Sequence, residues 1–591
     1  MERALVRWPS GTGRRWLSFE RPVGGATALA LDEVPAVLAE VERAAARGLW
    51  SVGFVSYDAS PAFDPALRAR RDPDVPLAAF GFFGGARRVS GPADLDAEAG
   101  AWHTAWSQAD HAAALARVHE LIAAGETYQV NVTHRLRARF AGEPEGLFAA
   151  LCRAQRAEHQ AFVELGSAAV CSASPELFLR RRGEQLESRP MKGTRPRHPD
   201  PAVDQSLADA LVASPKDRAE NTMIVDMMRN DLGRIARVGT VRVPALHRVE
   251  HYPTVHQMVS VVTAETDAGL AEIFAACFPA ASITGAPKVR TSAIIAELEA
   301  DARGVYCGAV GTVAPAPEPG HPADFEFNVA IRTAWVDRRR ATVTYGVGGG
   351  IVWDSDTDEE WAECGHKARI LTRALPAFRL LETLLWDPDG GCALLDEHLD
   401  RLAGSAAHFG YEFHPDEARR RLTRLDGDEA GVVRVLVAPD GAVEIQRRPL
   451  PSRDGGPVRL AFDTVPVDPG DEFLRHKTTR RARYDEARAR RPGADDVVLW
   501  TPDGEVTETS IANLVVDVDG RLVTPRLEAG LLAGTLRRVL LEEGRVVEAR
   551  VGIDDLLGAE RVWTINSVRG WSPATVDART APRLPGRRTE V

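Results

Sequence analysis

Helix-like and strand-like patterns follow one another along this chain without the regular strand–helix–strand alternation of a doubly wound fold. Apolar periodicity predicts a helix over residues 111–124, which Gly125 is placed to end, and a second helix over residues 217–232. Alternating apolar residues predict a strand over residues 130–140, and a further strand over residues 341–352 that runs into a glycine turn. Mixed elements in this irregular order predict an α+β fold.

The chain is too long for one domain. Its 591 residues are about four times the usual single-domain length, which predicts two or three domains. We place the first domain at residues 1–373 and the second at residues 378–580, because Pro376 can stop a helix and no Gly/Ser-rich linker separates the two parts. Residues 581–591 are predicted to form a disordered tail.

Charge and composition exclude several classes of protein. A net charge of -11 argues against a general binder of nucleic acid or of membrane surfaces. No stretch approaches the ~18 apolar residues of a membrane span, and the N-terminus lacks an apolar signal sequence. The six cysteines form no CxxC pair, so neither a zinc site nor a disulfide framework is indicated. We therefore expect a cytoplasmic protein that binds neither nucleic acid nor membranes.

Lysine is scarce in this chain. Of the 73 basic residues only five are lysines, so arginine provides nearly all of the positive surface charge. Arginine stays protonated and is a poor nucleophile, Schiff-base former or general base, whereas lysine can serve as all three. A position that keeps lysine is therefore a candidate for chemistry, although chance is the ordinary explanation for any single one. The five are Lys192, Lys216, Lys288, Lys367 and Lys477.

Four of these lysines fall within eight polar or glycine-containing segments of the first domain. The sharpest is Lys192, which sits between a Pro-Met pair and Gly193. Desolvation there would leave a nucleophilic amine, and the alternative is a lysine that holds a carboxylate. The segments are residues 125–131, 174–178, 189–194, 216–221 continuing to 229–231, 282–288, 330–333, 348–352 and 363–367.

Acidic residues in the same region indicate a cation site. Asp217 and Glu220 are three residues apart and share one helix face, and Glu363 lies in a second acidic helix. The three carboxylates could hold a hard cation such as Mg²⁺, and the alternative is a solvated acidic face. Arg332 follows an apolar strand and could bind a carboxylate or form a structural salt bridge.

Together, in this order and spacing, the eight segments resemble the chorismate-utilising enzyme family over residues 50–375. Lysine directly before the Gly193-Thr194 pair is typical of the aminodeoxychorismate branch, because anthranilate and isochorismate synthases usually carry alanine there. Thr254 favours the same branch, because anthranilate synthases usually have histidine at its position. The resemblance implies large antiparallel sheets with helices, and chorismate as the substrate.

The same resemblance implies roles for individual residues. Lys192 would add to C2 of chorismate as the C4 hydroxyl leaves, ammonia would then attack C4 and expel the lysine, and Glu176 is a second catalytic candidate. Mg²⁺ would bind the ring carboxylate and would itself be held by Glu220 and Glu363, with Asp217 nearby. The remaining substrate contacts would come from Gly193, Thr194, Thr284, Arg332, Gly349 and Lys367.

The ammonia needs a source. A glutaminase uses a nucleophilic cysteine in a glycine-rich turn with a downstream histidine, and neither Cys152 nor Cys171 has that setting. We therefore expect a separate glutamine amidotransferase subunit as a partner.

The fifth lysine belongs to a second constellation, after residue 378. Lys477 could carry pyridoxal phosphate, and Glu508 could pair with the pyridinium nitrogen. Arg401 and the free amides at the helix start Gly534-Thr535 could bind the phosphate. Each residue alone also has an ordinary interpretation, as a surface lysine, a strand-edge carboxylate, an exposed helix residue or a simple turn.

The order of these segments resembles the fold-type IV pyridoxal phosphate enzymes over residues 378–575, which include branched-chain and D-amino-acid aminotransferases and aminodeoxychorismate lyase. The first domain is expected to make aminodeoxychorismate, and its fusion to the second domain favours the lyase among these enzymes. In the lyase reaction Lys477 would take the C4 proton, pyruvate would leave and p-aminobenzoate would form. The open alternatives are a transaminase or a non-catalytic scaffold as the second domain, and an anthranilate synthase-like first domain. The resemblance also implies a possible homodimer.

Overall fold

The computed structural model describes residues 1–582 except 11–12, 156, 198–200, 252–254, 319, 372–377, 410 and 451–455. Thr254, Pro376 and residues 583–591, on which three of the expectations rest, lie outside the described residues.

The chain divides into two compact units. The first unit is made of Met1–Arg197 and Ser206–Leu375, and the second of His198–Gln205 and Pro376–Val591.

Strands and helices are interleaved before residue 372. The strands are β1 Arg3–Ser10, β2 Gly13–Glu20, β3 Gly24–Ala28, β4 Trp50–Val55, β5 Ala78–Phe83, β6 Arg87–Val89, β7 Ala97–Ala99, β8 His103–Thr104, β9 Gln129–Gly142, β10 His159–Glu164, β11 Ala168–Ser174, β12 Leu177–Arg182, β13 Gln185–Arg189, β14 Met191–Pro196, β15 Arg242–His251, β16 Val255–Glu265, β17 Gly285–Ala286, β18 Ala309–Val313, β19 Phe325–Val329, β20 Thr333–Asp337 and β21 Thr342–Ile351. The helices are α1 Glu33–Ala46, α2 Gln108–Ala123, α3 Pro144–Gln155, α4 Pro201–Ala213, α5 Pro215–Gly233, α6 Leu270–Cys277, α7 Lys288–Leu298 and α8 Thr357–Ala368.

Two sheets organise the first unit, and each strand pairing recorded in its described residues is antiparallel. One sheet has the order β17-β9-β21-β20-β11-β10-β1-β2-β6, with β7 and β8 also paired to β9. The other has the order β14-β16-β13-β12-β19-β18-β4-β5-β3, with β15 paired to β16. The two sheets pack face to face through a shared apolar layer, in which Val6 and Val163 of one meet Val52 and Phe54 of the other. The predicted α+β class is confirmed.

Local sequence signals explain where the site-bearing helices begin. Ser107 forms a capping box at the start of α2, and Ser214 accepts a hydrogen bond from the backbone N–H of Asp217 at the start of α5. The Asp356 carboxylate caps the start of α8 in the same way. Both predicted helices, over residues 111–124 and 217–232, are confirmed by α2 and α5.

The glycine turn predicted near residue 350 is wrong. Gly348, Gly349 and Gly350 lie inside β21, opposite Thr133, Val132 and Asn131 of β9. The strand continues through the glycines because their missing side chains leave room for groups that approach from other elements, as the site geometry shows.

The second unit combines a small sheet with a larger mixed sheet. Its strands are β22 Leu380–Asp387, β23 Gly391–Cys392, β24 Gly431–Val437, β25 Val443–Pro449, β26 Val458–Phe462, β27 Asp496–Trp500, β28 Val506–Thr509, β29 Asn513–Val518, β30 Arg521–Pro525, β31 Val547–Ala549, β32 Val562–Asn566 and β33 Gly570–Val576. Its helices are α9 Leu395–Phe409, α10 Pro415–Leu422, α11 Glu472–Arg475, α12 Ala482–Arg490, α13 Thr535–Glu542 and α14 Ile553–Gly558. The small sheet has the order β23-β22-β24-β25, and the larger sheet β28-β27-β26-β33-β32-β29-β30-β31.

Among the described residues, every helix is too short or too polar to span a membrane.

Candidate active sites

Lys192 lies in a β-bulge. β14 pairs with β16 in one register at Met191 and in another at Thr194, so Lys192 and Gly193 occupy the irregularity between them. Gly193 has a φ of +85°, and a Cβ at this position would stand 3.0 Å from the Asp217 side chain. A bulge re-aims a side chain relative to a regular ladder. This is the physical reason for glycine directly after the lysine.

The Lys192 amine lies against the glycines of β21. A Cβ added to Gly350 would stand 2.5 Å from Lys192 Nζ and would overlap Nε2 of Gln129. Gln129 begins β9 and is buried, and its Oε1 has no hydrogen-bond partner among the described groups. Gly350 therefore leaves space for an amine and an amide side by side. The sequence marked segment 125–131 but did not single out Gln129.

Glu176 is a buried carboxyl group beside the same lysine. It follows β11, and burial raises the pKa of its carboxyl to about 7, although the positive charge of Lys192 opposes the rise. A carboxyl group that titrates near neutral pH can both give and take a proton. Glu176 therefore has the properties expected of the second catalytic candidate.

Two further carboxylates, Glu220 and Glu363, lie within electrostatic reach of each other and of Lys192. Burial raises the pKa of Glu220, and the negative charges of Asp217 and Glu363 add to this effect. Although burial opposes it, the Lys367 ammonium 2.9 Å from Glu363 helps to hold the pKa of that carboxyl below its ordinary value. The carboxylates of Glu220 and Glu363 therefore concentrate negative charge near Lys192.

Helix α8 adds a residue that sequence reasoning missed. A Cβ on Gly349 would stand 2.8 Å from Oε2 of Glu360 and 3.6 Å from Oε2 of Glu363. Glu360, Glu363 and Lys367 share one helix face, so the spacing in the sequence was the available signal. Ser355 donates a hydrogen bond to Glu360 at 2.7 Å and orients it.

The carboxylates fit Mg²⁺ only in part. No three acidic, histidine or cysteine side chains of the described residues form a metal-binding group. Asp217 forms an ion pair of 2.7 Å with Arg195, although its charge still reaches Glu220. Mg²⁺ keeps several waters and binds proteins through one or two carboxylates, which Glu220 and Glu363 can supply.

The predicted cationic substrate contacts lie beside this region. Lys367 donates a hydrogen bond to the carbonyl oxygen of Gly348 at 2.7 Å, and Arg332 donates to the carbonyl oxygen of Lys367 at 2.7 Å. The charge of Arg332 also reaches Glu363. Lys367 therefore joins α8 to β21, and Arg332 joins α8 to the segment between β19 and β20, while both cations remain near the carboxylates.

The two predicted threonine contacts have local partners. Thr194 is exposed and donates its hydroxyl to Oε1 of Gln257 at 2.9 Å. Thr284 is buried and donates its hydroxyl to the carbonyl oxygen of Ala280 at 2.9 Å. Both hydroxyl groups therefore already have partners within the protein, and their oxygens can still accept a hydrogen bond.

The structure explains one lysine that the sequence marked without a role. Lys288 forms an ion pair of 2.7 Å with Asp231 and donates to the carbonyl oxygen of Cys277 at 3.1 Å. This buried contact joins α7 to α5, which is a structural function. The charge of Lys216 reaches Glu220 one turn along α5.

In the second unit, Lys477 follows α11, and its carbonyl oxygen accepts a hydrogen bond from the backbone N–H of Leu381 at 3.0 Å. The pKa of Lys477 is lowered to about 8, mainly by burial; the attraction of Glu382 opposes this change, and the charges of Arg401 and Arg481 contribute to it. A larger neutral fraction makes the amine a better nucleophile and base.

Glu508 lies on β28 within electrostatic reach of Lys477. Its Oε1 accepts a hydrogen bond from the Tyr484 hydroxyl at 2.9 Å, and its Oε2 accepts one from Asn513 Nδ2 at 3.4 Å. Burial raises the pKa of Glu508 to about 8. A cationic ring nitrogen placed beside it would favour its charged form.

Arg401, which was predicted to bind the cofactor phosphate, is already paired with a carboxylate. It forms a bidentate ion pair with Glu382, with both contacts at 2.8 Å, and it also donates to the carbonyl oxygen of Ala533 at 2.8 Å. Burial opposes ionisation, but this guanidinium and the His398 contact hold the pKa of Glu382 well below its usual range. Arg401 remains at the start of α13, but Glu382, which the sequence had not marked as functional, controls its position.

The start of α13 is open to an anion. Gly534 caps the helix without a side-chain hydrogen bond, and a Cβ there would overlap Oδ1 of Asn513. The Nε2 of His398 lies 3.3 Å from the Thr535 hydroxyl and 3.0 Å from the Ser567 hydroxyl. Backbone amides at a helix start, two hydroxyls and a nearby arginine fit a phosphate group. With Lys477 and Glu508, they fit pyridoxal phosphate.

Comparison with known proteins defines the class to which this chain belongs. A family model for chorismate binding enzymes matches residues 20–373, which is more than half of the chain, so the chain belongs to that family. A second family model, amino-transferase class IV, matches residues 379–576 and implies pyridoxal phosphate as the cofactor of this part. Both resemblances inferred from the sequence motifs are confirmed.

Individual relatives refine this result for the first unit. The chain is 42% identical over 276 residues to aminodeoxychorismate synthase component 1 of Klebsiella aerogenes, an alignment covering 46% of this chain and 59% of that protein. It is 44% identical over 265 residues to aminodeoxychorismate synthase of Streptomyces griseus, covering 44% of this chain and 35% of that protein. The chain therefore spans little more than half, or less, of these curated relatives.

The solved structures support the fold. Anthranilate synthase component I from Streptococcus pneumoniae TIGR4 matches with a TM-score of 0.52 and 21% sequence identity, covering 62% of this chain and 93% of that chain.

Proposed function

We propose that this chain is a bifunctional enzyme that converts chorismate and ammonia to p-aminobenzoate. Residues 1–373 form aminodeoxychorismate and residues 378–580 release pyruvate from it. The observation that carries the proposal is that each unit places a lysine beside a buried carboxyl group: Lys192 near Glu176 and Lys477 near Glu508. The similarity to aminodeoxychorismate synthases over the first part supports the choice of substrate.

In the first reaction, Lys192 adds to C2 of chorismate, the ring double bonds shift, and the C4 hydroxyl leaves. Glu176 gives a proton to the departing oxygen, which its pKa near 7 allows at neutral pH. Ammonia then attacks C4, and the amine of Lys192 leaves C2. The amide of Gln129 beside Lys192 is neutral and can orient ammonia by a hydrogen bond without taking its proton.

Mg²⁺ would be held by Glu220 and Glu363 in this reaction. When bound, the cation neutralises the substrate carboxylate and offsets the mutual repulsion of the two side chains. Asp217 takes no part in this proposal, because Arg195 already occupies it.

In the second reaction, pyridoxal phosphate would be held by Lys477, Glu508 and the start of α13, and it supplies a sink for electrons when bound. Lys477 takes the C4 proton of aminodeoxychorismate. The C3–O bond then breaks, pyruvate departs, and the ring becomes aromatic. The pKa of about 8 keeps part of the lysine population neutral and ready to accept this proton.

The ammonia is proposed to come from a separate glutamine amidotransferase subunit. The name of the Klebsiella aerogenes relative, component 1, supports a partner of this kind. A homodimer is proposed from the fold-type IV resemblance alone. A cytoplasmic location is part of the same proposal.

A product assay tests the function. The purified chain is incubated with chorismate, ammonium, Mg²⁺ and pyridoxal phosphate, and p-aminobenzoate and pyruvate are expected in equal amounts. Lys192→Ala should abolish both products. Lys477→Ala should accumulate aminodeoxychorismate.

Anthranilate or isochorismate as the main product would refute the first reaction. Release of a keto acid other than pyruvate, or no consumption of added aminodeoxychorismate, would refute the second. Glutamine in place of ammonium should support turnover only when a glutamine amidotransferase is added.

A further inference from the structure

Two arginines project from one face of the small sheet in the second unit. In the antiparallel pair β24–β25, Arg434 stands opposite Gln446, and Arg448 stands opposite Val432. Residues that are two positions apart in this way are diagonal neighbours on the same face of a sheet. Arg434 and Arg448 are therefore adjacent guanidinium groups.

A third arginine joins them from the segment after Lys477. Arg481 donates a hydrogen bond to the carbonyl oxygen of Ser510 at 2.7 Å, and its guanidinium carbon lies 4.8 Å from the centre of the Tyr484 ring. Tyr484 in turn donates to Glu508 at 2.9 Å. Arg481 is thus anchored at the wall of the Lys477 site.

The three positive charges act on one another. Burial lowers the pKa of Arg434, and the charges of Arg448 and Arg481 lower it further. Within the described parts of the chain, none of the three guanidinium groups is ion-paired with a carboxylate. Arg401 differs, because Glu382 neutralises it at 2.8 Å.

Cationic groups that converge at the edge of a reactive site attract an anion, and a bound anion relieves their mutual repulsion. The cofactor phosphate has its own cradle at Gly534 and Thr535, where Arg401 is placed. The anion that fits the cluster of Arg434, Arg448 and Arg481 is therefore part of a substrate. Three guanidinium groups can accept more than one carboxylate.

We propose that Arg434, Arg448 and Arg481 form a clamp that selects amine substrates carrying two carboxylates for the Lys477 site. The inference rests on the proposed function, since aminodeoxychorismate carries one carboxylate on the ring and one on the enolpyruvyl group. An apolar amino acid carries one carboxylate and leaves the rest of the clamp unneutralised. The clamp thus separates a lyase of this kind from an aminotransferase for apolar amino acids.

Binding of unreactive probes tests the clamp. The full chain loaded with pyridoxal phosphate is titrated with 5-aminoisophthalate, 4-aminobenzoate and aniline, which carry two, one and no carboxylates. The change in cofactor absorbance gives each dissociation constant. We expect 5-aminoisophthalate to bind about tenfold more tightly than 4-aminobenzoate, because each carboxylate adds a charge-assisted contact of about 1.4 kcal/mol.

Variants assign the preference to the arginines. Arg434→Gln and Arg448→Gln should each remove most of the tenfold difference, and should raise KM for aminodeoxychorismate more than they lower kcat. Arg447→Gln is the matched control, because Arg447 lies on the opposite face of the same strand, over the Trp386 ring. It should leave the preference unchanged.

Three results would overturn the clamp: no preference for the dicarboxylate in the wild type, an equal loss in Arg447→Gln, or weaker binding of pyridoxal phosphate in Arg434→Gln. The last would show that the cluster holds the cofactor phosphate. If the wild type prefers the dicarboxylate but does not consume aminodeoxychorismate, the proposed lyase reaction fails while the clamp stands.

Discussion

Adding a single methyl group at Gly350 should separate the two reactions proposed for this chain. Gly350 is paired with Asn131 inside the β9–β21 ladder, where alanine is sterically allowed. The new Cβ would stand 2.5 Å from Nζ of Lys192 and would overlap the amide of Gln129. Both are the far ends of side chains, so they will move while the strand stays in place.

The size of the effect follows from that displacement. Non-bonded atoms of this kind need a separation of about 3.5 Å, so the Lys192 amine must retreat by about 1 Å. A misplacement of about 1 Å costs on the order of 10²-fold in rate, which is about 2.7 kcal/mol of transition-state stabilisation. Gly350→Ala should therefore lower the rate of aminodeoxychorismate formation about 100-fold.

The assay contains its own internal reference. The rate of aminodeoxychorismate formation from chorismate and ammonium is measured alongside the rate of pyruvate release from added aminodeoxychorismate. The second rate should be unchanged, because it depends on the other unit. Gly365→Ala is the matched control, since nothing lies within 4 Å of its added Cβ on the exposed side of α8.

Gly350→Ala should keep far less than half of the wild-type rate of the first reaction, and a higher rate would refute the role of the space beside Lys192. Impairment of Gly365→Ala to the same degree would refute it equally. A thermal unfolding midpoint close to the wild-type value would exclude global unfolding as the cause of lost activity.

Three further predictions concern buried charged groups. Because burial raises the pKa of Glu176 to about 7, the rate of the first reaction should depend on pH around that value. Glu176→Gln should slow the reaction by about 10²- to 10⁴-fold and flatten its pH profile. An unaltered profile would contradict the role of Glu176 as a proton donor. The pKa of Lys477 is lowered to about 8 from 10.5, so the folded, cofactor-free protein is destabilised below about pH 8 and this penalty fades as the pH rises toward 10.5. Lys477→Met should therefore stabilise that form by on the order of 1 kcal/mol at pH 7 and little at pH 10.5, as measured by denaturant unfolding. Arg303 donates a hydrogen bond to the buried carboxylate of Glu299 at 2.6 Å, so Arg303→Met should lower the free energy of unfolding by about 3–5 kcal/mol. Adding Glu299→Gln to the same chain should recover part of this loss. Additive losses in free energy would argue against the pair.

Local patterns allowed the helices that carry the sites to be predicted. The predicted helix over residues 217–232 became α5, which begins at Pro215 because Ser214 caps it and proline suits the first turn. The glycine run at residues 348–350 was misjudged for an equally clear reason. Glycines usually mark turns, but here they lie in a strand because side chains from β9, β14 and α8 need the space that a Cβ would fill.

Residue identity also predicted much of the site chemistry. A chain that uses arginine almost everywhere keeps lysine at Lys192, Lys477 and Lys367, and the structure puts each beside a group that it can act on or bind. The side chains that orient them were harder to predict. Glu360 could have been found from its spacing to Glu363 and Lys367 on one helix face, but Gln129 had no distinguishing spacing, because its importance comes from its contact with β21.

The sequence also did not show which acidic and basic residues form ion pairs with each other. Asp217 shared a helix face with Glu220 as expected, yet Arg195 of a neighbouring strand pairs with it. Arg401 carried the right charge for a phosphate, yet Glu382 of β22 holds it in a bidentate pair. Periodicity gives the face of a helix but not the partner that packs against that face.

Residue type and order along the chain were enough to identify the family, to predict the α+β class and to mark candidate lysines and carboxylates. Which charges meet and which remain unneutralised became visible only in the three-dimensional structure. Lys192 reaches Gly350 through a β-bulge and the register of two sheets. Arg434 meets Arg448 through the pairing of β24 with β25, and Arg481 joins them from the residue before α12. Such contacts join residues that are distant in sequence, and local patterns carry no information about their separation in space.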